Sequence, residues 1–354
     1  MRLRVEASGG AYAVRVGTGL LGELGSIFEA EGIHGRRALV ADERVLALHG
    51  EVVKASLRPE LVLPVPAGEA SKRLEQAERL WGELIQAGFG RGDVAVGLGG
   101  GATLDLVGFV AATFHRGMQL VHLPTTLLAQ VDASVGGKTA IDHPLGKNLI
   151  GAFHAPRLVV ADLAPLETLS PRERWAGLAE VVKAALIADP ALLGLLEENL
   201  ETLAEGAVEA LLPIVSRAVA IKAEVVAEDE HDRGRRQILN FGHTLGHALE
   251  SEAGFGPLLH GEAVVLGMRA AVWLSKKLGR LRAEEAERAS SLLARFPLPS
   301  IELPPAERVL RATRRDKKGA GVFVTIGPLG QARAEAVELP LLSKALETLY
   351  EARR

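Results

Sequence analysis

Imidazoles and carboxylates gather in Asn240-Phe241-Gly242-His243-Thr244-Leu245-Gly246-His247-Ala248-Leu249-Glu250, and His260-Gly261-Glu262 follows closely. His243 and His247 stand at i and i+4, so on a helix they share a face with Cβ atoms roughly 5–6 Å apart. That spacing suits a shared cation or a shared substrate. A divalent ion bound by nitrogen and carboxylate needs a third donor and an open or fourth position, so other segments must contribute. Glu180 and Lys183 form an i,i+3 pair on the otherwise apolar run Ala176 to Leu186. On a solvated face such a pair contributes only about 0.2–0.5 kcal/mol. Here Ala179, Val181, Val182, Ala184 and Ala185 surround it, and a buried pair needs further partners, which a metal supplies. Lys222 is similarly isolated among Ala218, Val219, Ala220, Ile221, Ala223 and Val225, and Arg235 and Arg236 precede the histidines. Together these cations suggest a pocket for an anionic substrate.

Glycine turns offer a second chemistry. Gly97-Leu98-Gly99-Gly100-Gly101 follows the β-rich Val94-Ala95-Val96 and opens a helix at Ala102 or Thr103, placing free backbone N–H groups at a positive helix end. This is the better pyrophosphate site. Asp105 is expected in the first turn of that helix, where a carboxylate favours the dipole even with no ligand. Gly17-Thr18-Gly19-Leu20-Leu21-Gly22, with Asp42 downstream, fits a dinucleotide fingerprint, but chance matches are common among 39 glycines and an ordinary turn is favoured. Gly136-Gly137-Lys138-Thr139 imitates a P-loop, yet Asp132 stands where the first glycine belongs. Polar groups crowd Pro124 to Lys138 after a strand-like run, the ligand side of a parallel sheet. Lys138, Lys147, Asn148 and Arg116 all fall on loops.

Elements must position these groups. Short β-rich runs at 11–16, 37–41, 61–65, 93–97, 119–123 and 157–161 alternate with amphipathic stretches such as 71–87 and 103–114. That alternation predicts a parallel sheet covered on both faces. From about Pro171 the pattern becomes long Ala/Leu/Glu helices at 173–187, 191–203, 207–228 and 262–278, with a small strand at 321–327. The reading is an α/β domain over 1–170 with a parallel-rich sheet, followed by an all-α metal- and substrate-binding domain over 171–354.

Composition narrows the partners. A net charge of -3 and 4% aromatics lack the basic footprint and stacking platform of a nucleic-acid binder. The absence of cysteine removes disulfides and thiolate-held metals, leaving His, Asp and Glu as ligands. Met1 to Glu6 has no apolar leader character, and no run of about 18 apolar residues occurs. The expectation is a cytoplasmic protein with no membrane partner.

These motifs together resemble 3-dehydroquinate synthase, nearly end to end. Gly99-Gly100-Gly101 with Asp105, Pro124 to Asp132 with Gly136-Gly137-Lys138, Gly146-Lys147-Asn148, Ala179-Glu180-Val181-Val182-Lys183, Asn240 to Thr244, His260 to Val264 and Asp316-Lys317-Lys318 recur in that family's order. The resemblance implies a Rossmann-like NAD-binding domain joined to a helical metal domain, with the active site in the cleft, one zinc and a homodimer. It further implies conversion of 3-deoxy-D-arabino-heptulosonate 7-phosphate to 3-dehydroquinate and phosphate. An alcohol is oxidised by hydride transfer to NAD, phosphate leaves by β-elimination, the same NADH reduces the ketone, and the opened ring recloses by an internal aldol addition.

Carried over by position, the metal ligands are Glu180, His243 and His260, so His247 faces substrate instead of sharing the ion. The zinc is expected to act as a Lewis acid. Substrate contacts fall to Arg116, Lys138, Asn148, Lys183, Lys222, Arg236, Asn240, His247 and Lys317 or Lys318, with Arg116 matching a group that can come from a neighbouring subunit. Cofactor positions are Asp42, Glu69, Lys72, Gly101, Asp105, Thr125, Thr126, Asp132, Lys138, Lys147 and Thr168. Phe153-His154-Ala155-Pro156 departs from the family, which usually has Gln before the proline. The alternatives are another NAD- and zinc-dependent sugar phosphate cyclase, a metal-dependent polyol dehydrogenase of the glycerol dehydrogenase type, and a non-catalytic relative.

Overall fold

A computed structural model describes residues 1–254, 256–315 and 322–351 of the chain. Two compact units emerge: Met1–Ser170 with Gly206–His231, and Pro171–Glu205 with Asp232–Arg354.

The first unit is built on a seven-stranded sheet. Its strands are β1 (Arg2–Val5), β2 (Tyr12–Gly17), β3 (Arg37–Asp42), β4 (Leu61–Val65), β5 (Val94–Gly99), β6 (Gln119–Pro124) and β9 (Leu158–Asp162), in the order β1-β2-β9-β6-β5-β3-β4. Only β1–β2 is antiparallel; every other neighbour pair runs parallel. Val94 to Leu98 and Leu158 to Ala161 are buried throughout, as expected of strands covered on both faces. One apolar cluster includes Leu24, Phe28, Leu39, Val53 and Leu57, and another Leu80, Leu84, Leu106, Val107 and Leu120. Helices α1 (Leu24–Ala30), α2 (Glu43–Leu57), α3 (Leu74–Gln86) and α4 (Gly101–Thr113) connect these strands. The antiparallel hairpin of β7 (Lys138–His143) and β8 (Gly146–Phe153) was not anticipated from sequence. Most of β8 is exposed, Leu149, Ile150 and Phe153 included, so its short apolar stretch does not belong to the core.

The second unit holds α5 (Pro171–Ala188), α6 (Pro190–Glu205), α8 (His243–Glu252), α9 (His260–Lys277), α10 (Ala283–Ala294), α11 (Ala306–Arg315) and α12 (Leu339–Glu351). Among the described residues its strands are confined to the hairpin β10 (Val322–Ile326) and β11 (Ala332–Ala336), the first of which matches the small strand expected at 321–327. One helix falls elsewhere than the sequence reading put it. Helix α7 (Val208–Glu228), placed with the second domain, packs against β1 and β2 of the first unit. Its apolar face, including Leu211, Ile214, Val215 and Val219, would serve either core, so periodicity alone does not choose between them.

Candidate active site

In the second unit, three helices supply one donor each. Glu180 lies in the middle of α5, with its carboxylate almost wholly enclosed and Lys183 bonded to it one turn on. Ion pairs buried this deeply recover their desolvation only with additional partners, and two imidazoles provide them. His243 Nε2 stands 3.5 Å and His260 Nε2 3.3 Å from the same atom, Glu180 Oε1.

Local sequence explains the convergence. His243 is the first residue of α8, following Gly242 in the left-handed region at φ 78°. His260 opens α9, whose first turn is closed by Glu262 accepting the Leu259 N–H at 2.8 Å, as an N3 carboxylate does. Arg172 grips the same carboxylate in bidentate fashion at 2.6 and 2.8 Å and donates to Pro257 O, tying the start of α9 to the start of α5. Glycines then let the helices touch. A Cβ on Gly261 would come within 2.1 Å of Ala176 O, one on Gly246 within 2.9 Å of Ala263 O, and one on Gly267 within 1.8 Å of Gly242 O. His260-Gly261-Glu262 is therefore a donor, a close approach and a cap in sequence.

Both imidazoles are held by their other nitrogen. His243 Nδ1 lies 3.1 Å from Phe241 O, and His260 Nδ1 lies 3.4 Å from Glu250 Oε2. Each Nδ1 faces an acceptor and each Nε2 faces Glu180, the orientation in which a neutral imidazole offers its Nε2 lone pair to an ion seated between them. Burial, aided by the Lys183 charge, drives the His243 pKa well below its ordinary value. Burial also opposes charge on His260, but hydrogen bonds and attraction from Glu180 and Glu250 prevail and hold it up to about 10. His247 is exposed, with its ring centroid 5.1 Å from that of His243 and 5.4 Å from that of His260.

Three donors held about 2.0–2.1 Å from one ion at tetrahedral angles stand roughly 3.3 Å apart. The Glu180 contacts match that spacing, and a carboxylate with two neutral imidazoles is a donor set for zinc or cobalt. One ring nitrogen each of His243, His247 and His260 lies within 4.8 Å of the others. Arg236 is buried in the short 3-10 segment Arg235–Asn240 that leads into α8. Asp316, Lys317 and Lys318 lie outside the described residues.

In the first unit, the expected cofactor positions collect at the carboxyl edge of the sheet. Gly99, at φ 157°, ends β5 close against Thr103, and Gly100 and Gly101 pass so near Thr126 and Ala133 that a Cβ on either would come within 3.2 Å. Helix α4 starts at Gly101, and among the described residues no side chain caps its first amides. Beside this turn the Thr125 hydroxyl, at the end of β6, is buried with no hydrogen-bond partner among the described residues. An orphaned hydroxyl next to open helix amides fits the polar edge of a dinucleotide.

Asp105 is not in the first turn of α4, as expected, because the helix begins at Gly101. Its carboxylate meets Lys72 Nζ at 2.6 Å. Burial pushes the Asp105 carboxyl up to about 6 although Lys72 pulls it down. Lys72, itself buried, also bonds Asn148, whose backbone turns left-handed at φ 57° and whose N–H donates to Asp142 at 3.0 Å. Lys147 pairs with Glu69 at 3.2 Å, and Lys72 and Lys147 keep the Glu69 carboxyl low against its burial.

Asp42 ends β3 and caps α2, accepting from Arg44 N at 2.9 Å and from Gly68 N at 3.2 Å. Thr126 accepts the Ala129 N–H ahead of the π-turn Ala129–Ala133, whose Asp132 pairs with Lys222 of α7. Thr168 sits after β9, 3.0 Å from His49 Nε2, and Lys138 opens β7. Arg116 stands apart. It precedes β6, so within this unit it lies at the amino edge of the sheet, away from the glycine turn. The competing fingerprint is occupied: Asp162 accepts from Gly19 N at 2.9 Å and Leu21 N at 2.8 Å, which leaves those amides nothing for a phosphate.

Sequence reasoning gave no role to Glu250, Asp142 or Arg172. Glu250 carries a legible signal, since it lies two helical turns from His243. The other two depend on contacts with distant segments.

The chain matches the 3-dehydroquinate synthase N-terminal family over residues 62–176 and the 3-dehydroquinate synthase C-terminal family over 177–319. It is 44% identical to the 3-dehydroquinate synthase of Methylococcus capsulatus over 355 residues, covering 98% of each chain. Against that of Caulobacter vibrioides the identity is 45% over 337 residues, 91% of each. Among solved structures, the 2-epi-5-epi-valiolone synthase of Streptomyces hygroscopicus with NAD+ and Zn2+ bound superposes with a TM-score of 0.87 at 29% identity, covering 96% of this chain and 97% of that one. With two family domains matched in order and relatives aligned along almost its whole length, this chain belongs to the 3-dehydroquinate synthase family.

Proposed function

We propose that this protein is a 3-dehydroquinate synthase, converting 3-deoxy-D-arabino-heptulosonate 7-phosphate to 3-dehydroquinate and inorganic phosphate with NAD and one divalent metal, zinc foremost. The observation that carries this is the buried Glu180 carboxylate facing two oriented imidazoles beside Lys183, in a chain 44% identical to such a synthase over 98% of its length. When bound, NAD accepts and returns a hydride, and the metal lowers the pKa of the substrate alcohol.

The chain's own groups do the rest. Glu180, His243 and His260 hold the ion. Lys183 pairs with Glu180 and presents an ammonium beside it. Lys138, Lys222, Arg236 and Lys317 or Lys318 supply cationic donors for a substrate with both carboxylate and phosphate, while Asn148, Asn240 and His247 orient its hydroxyls. Gly101 and its amides cradle the pyrophosphate, with Asp42, Glu69, Lys72, Asp105, Thr125, Thr126, Asp132, Lys147 and Thr168 around the rest of the dinucleotide. Asp132 holds Lys222 and Asp105 holds Lys72, so each ammonium is fixed before ligand arrives. Arg116, at the far edge of its own sheet, fits the expectation that a second copy contributes it, and a homodimer is part of this reading. So is a cytoplasmic location; among the described residues no helix is long and apolar enough to cross a membrane.

Purified protein is expected to release phosphate from the heptulosonate phosphate with no net NADH and to stop after exhaustive chelation, resuming with zinc. Steady NADH accumulation would point to a dehydrogenase, and phosphate release without metal would remove the Glu180-His243-His260 centre from the reaction.

A further inference from the structure

We propose that Glu250 is a positioning residue of the metal centre, fixing the His260 imidazole with Nδ1 protonated and Nε2 turned toward Glu180; this rests on the metal-centre reading above. The two histidines need the same tautomer but occupy different surroundings. His243 finds its acceptor in the backbone, at Phe241 O. His260 is the first residue of α9, where the neighbouring unpaired backbone groups are N–H donors. An acceptor for its Nδ1–H must come from another element.

Helix α8 provides one. Seven residues turn a helix through almost two full revolutions, so Glu250 stands on the same face as His243, two turns along. That face presents a donor at one end and an acceptor for the neighbouring donor at the other. Gly246 and Gly267 let α8 and α9 approach closely enough for the Glu250 carboxylate to reach His260 Nδ1 at 3.4 Å. The side chain is largely enclosed, so water competes weakly for this bond. A carboxylate there also raises the basicity of the coordinating nitrogen, and removing such a partner typically weakens metal binding about 10- to 100-fold.

The test is zinc affinity of the metal-stripped full chain, measured by competition with a chromophoric chelator. Glu250→Ala is expected to weaken binding about 10- to 100-fold, and Glu250→Gln by less but at least about threefold, since its carbonyl still accepts while the charge is gone. Imidazole nitrogen NMR of zinc-loaded protein should show the His260 Nδ1–H in the parent and lose its slow exchange in Glu250→Ala. A mere packing role would leave that signal in place. Should the alanine variant fail to fold, the glutamine variant decides alone. Zinc affinity unchanged in Glu250→Gln, with the parent still binding one zinc per chain, overturns the inference. A parent that binds no zinc overturns the metal-centre reading instead, and His260→Ala marks the affinity of a broken centre.

Discussion

At the residue scale, the histidine cluster divides its labour by orientation. Glu180, His243, His247 and His260 stand together, and Glu180 Oε1 lies 3.5 and 3.3 Å from the Nε2 atoms of His243 and His260, whose opposite nitrogens face acceptors. His247 is exposed and stands beside that set. The expected consequence concerns stoichiometry: Glu180→Ala, His243→Ala and His260→Ala should each lose the single bound zinc after dialysis against a weak chelator, whereas His247→Ala keeps it and loses activity. Elemental analysis distinguishes these outcomes, and a zinc-free His247→Ala would make it a ligand. The donor residue types were readable from spacing and family motif. The anchoring of their second nitrogens was not, because Phe241 O depends on the turn before α8 and Glu250 on a partner from another helix.

At the element scale, glycine determines where the donors stand. Helix α9 crosses α5 at Gly261 and α8 at Gly267, and neither approach leaves room for a side chain. Gly261→Ala places a Cβ within 2.1 Å of Ala176 O, a backbone atom that cannot rotate away, so α9 must shift relative to α5. Overpacking of this kind costs about 1–3 kcal/mol. His260 is the adjacent residue and moves with the helix start. Gly261→Ala is therefore expected to lower the denaturation midpoint and to weaken zinc binding at least tenfold, read by urea unfolding and chelator competition. Loss of stability with zinc affinity intact would mean the crossing sets packing but not the centre. The same contrast of local and distant information explains the elements missed from sequence. Core strands were legible through their apolar runs, whereas β8 is mostly exposed and its apolar stretch at 149–153 is short and broken by Gly151.

At the scale of the molecule, each unit carries one half of the proposed chemistry, and the chain passes between them more than once. It leaves the first unit after Ser170, forms α5 and α6, returns for α7, and leaves again after His231. Lys222 thereby joins Asp132 in the first unit, a pairing no composition boundary announces. The first unit also closes on a charge conflict that folding must resolve. Arg2 of β1 and Arg15 of β2 are directly opposite in an antiparallel pair, an arrangement that repels. Glu31, just after α1, answers both, meeting Arg2 at 2.8 Å and Arg15 at 2.6 Å. Hydrogen bonding from Arg2, with Arg15 adding to it against burial, holds the Glu31 carboxyl down to about 2. Because the folded pKa lies below the ordinary carboxylate value, its contribution is complete above about pH 4.5 and disappears as pH falls through about 2. Glu31→Gln should lower stability at neutral pH by on the order of 1 kcal/mol, and the gap from the parent should close progressively between those two pH values. Trp81 lies in the first unit and Trp175 and Trp273 in the second, so urea titrations followed by Trp81 fluorescence in a Trp175→Phe, Trp273→Phe background isolate the relevant transition. A gap that stays constant from pH 7 to pH 2 would mean that Glu31 acts through shape and neutral hydrogen bonds, leaving the arginine repulsion to be relieved by solvent.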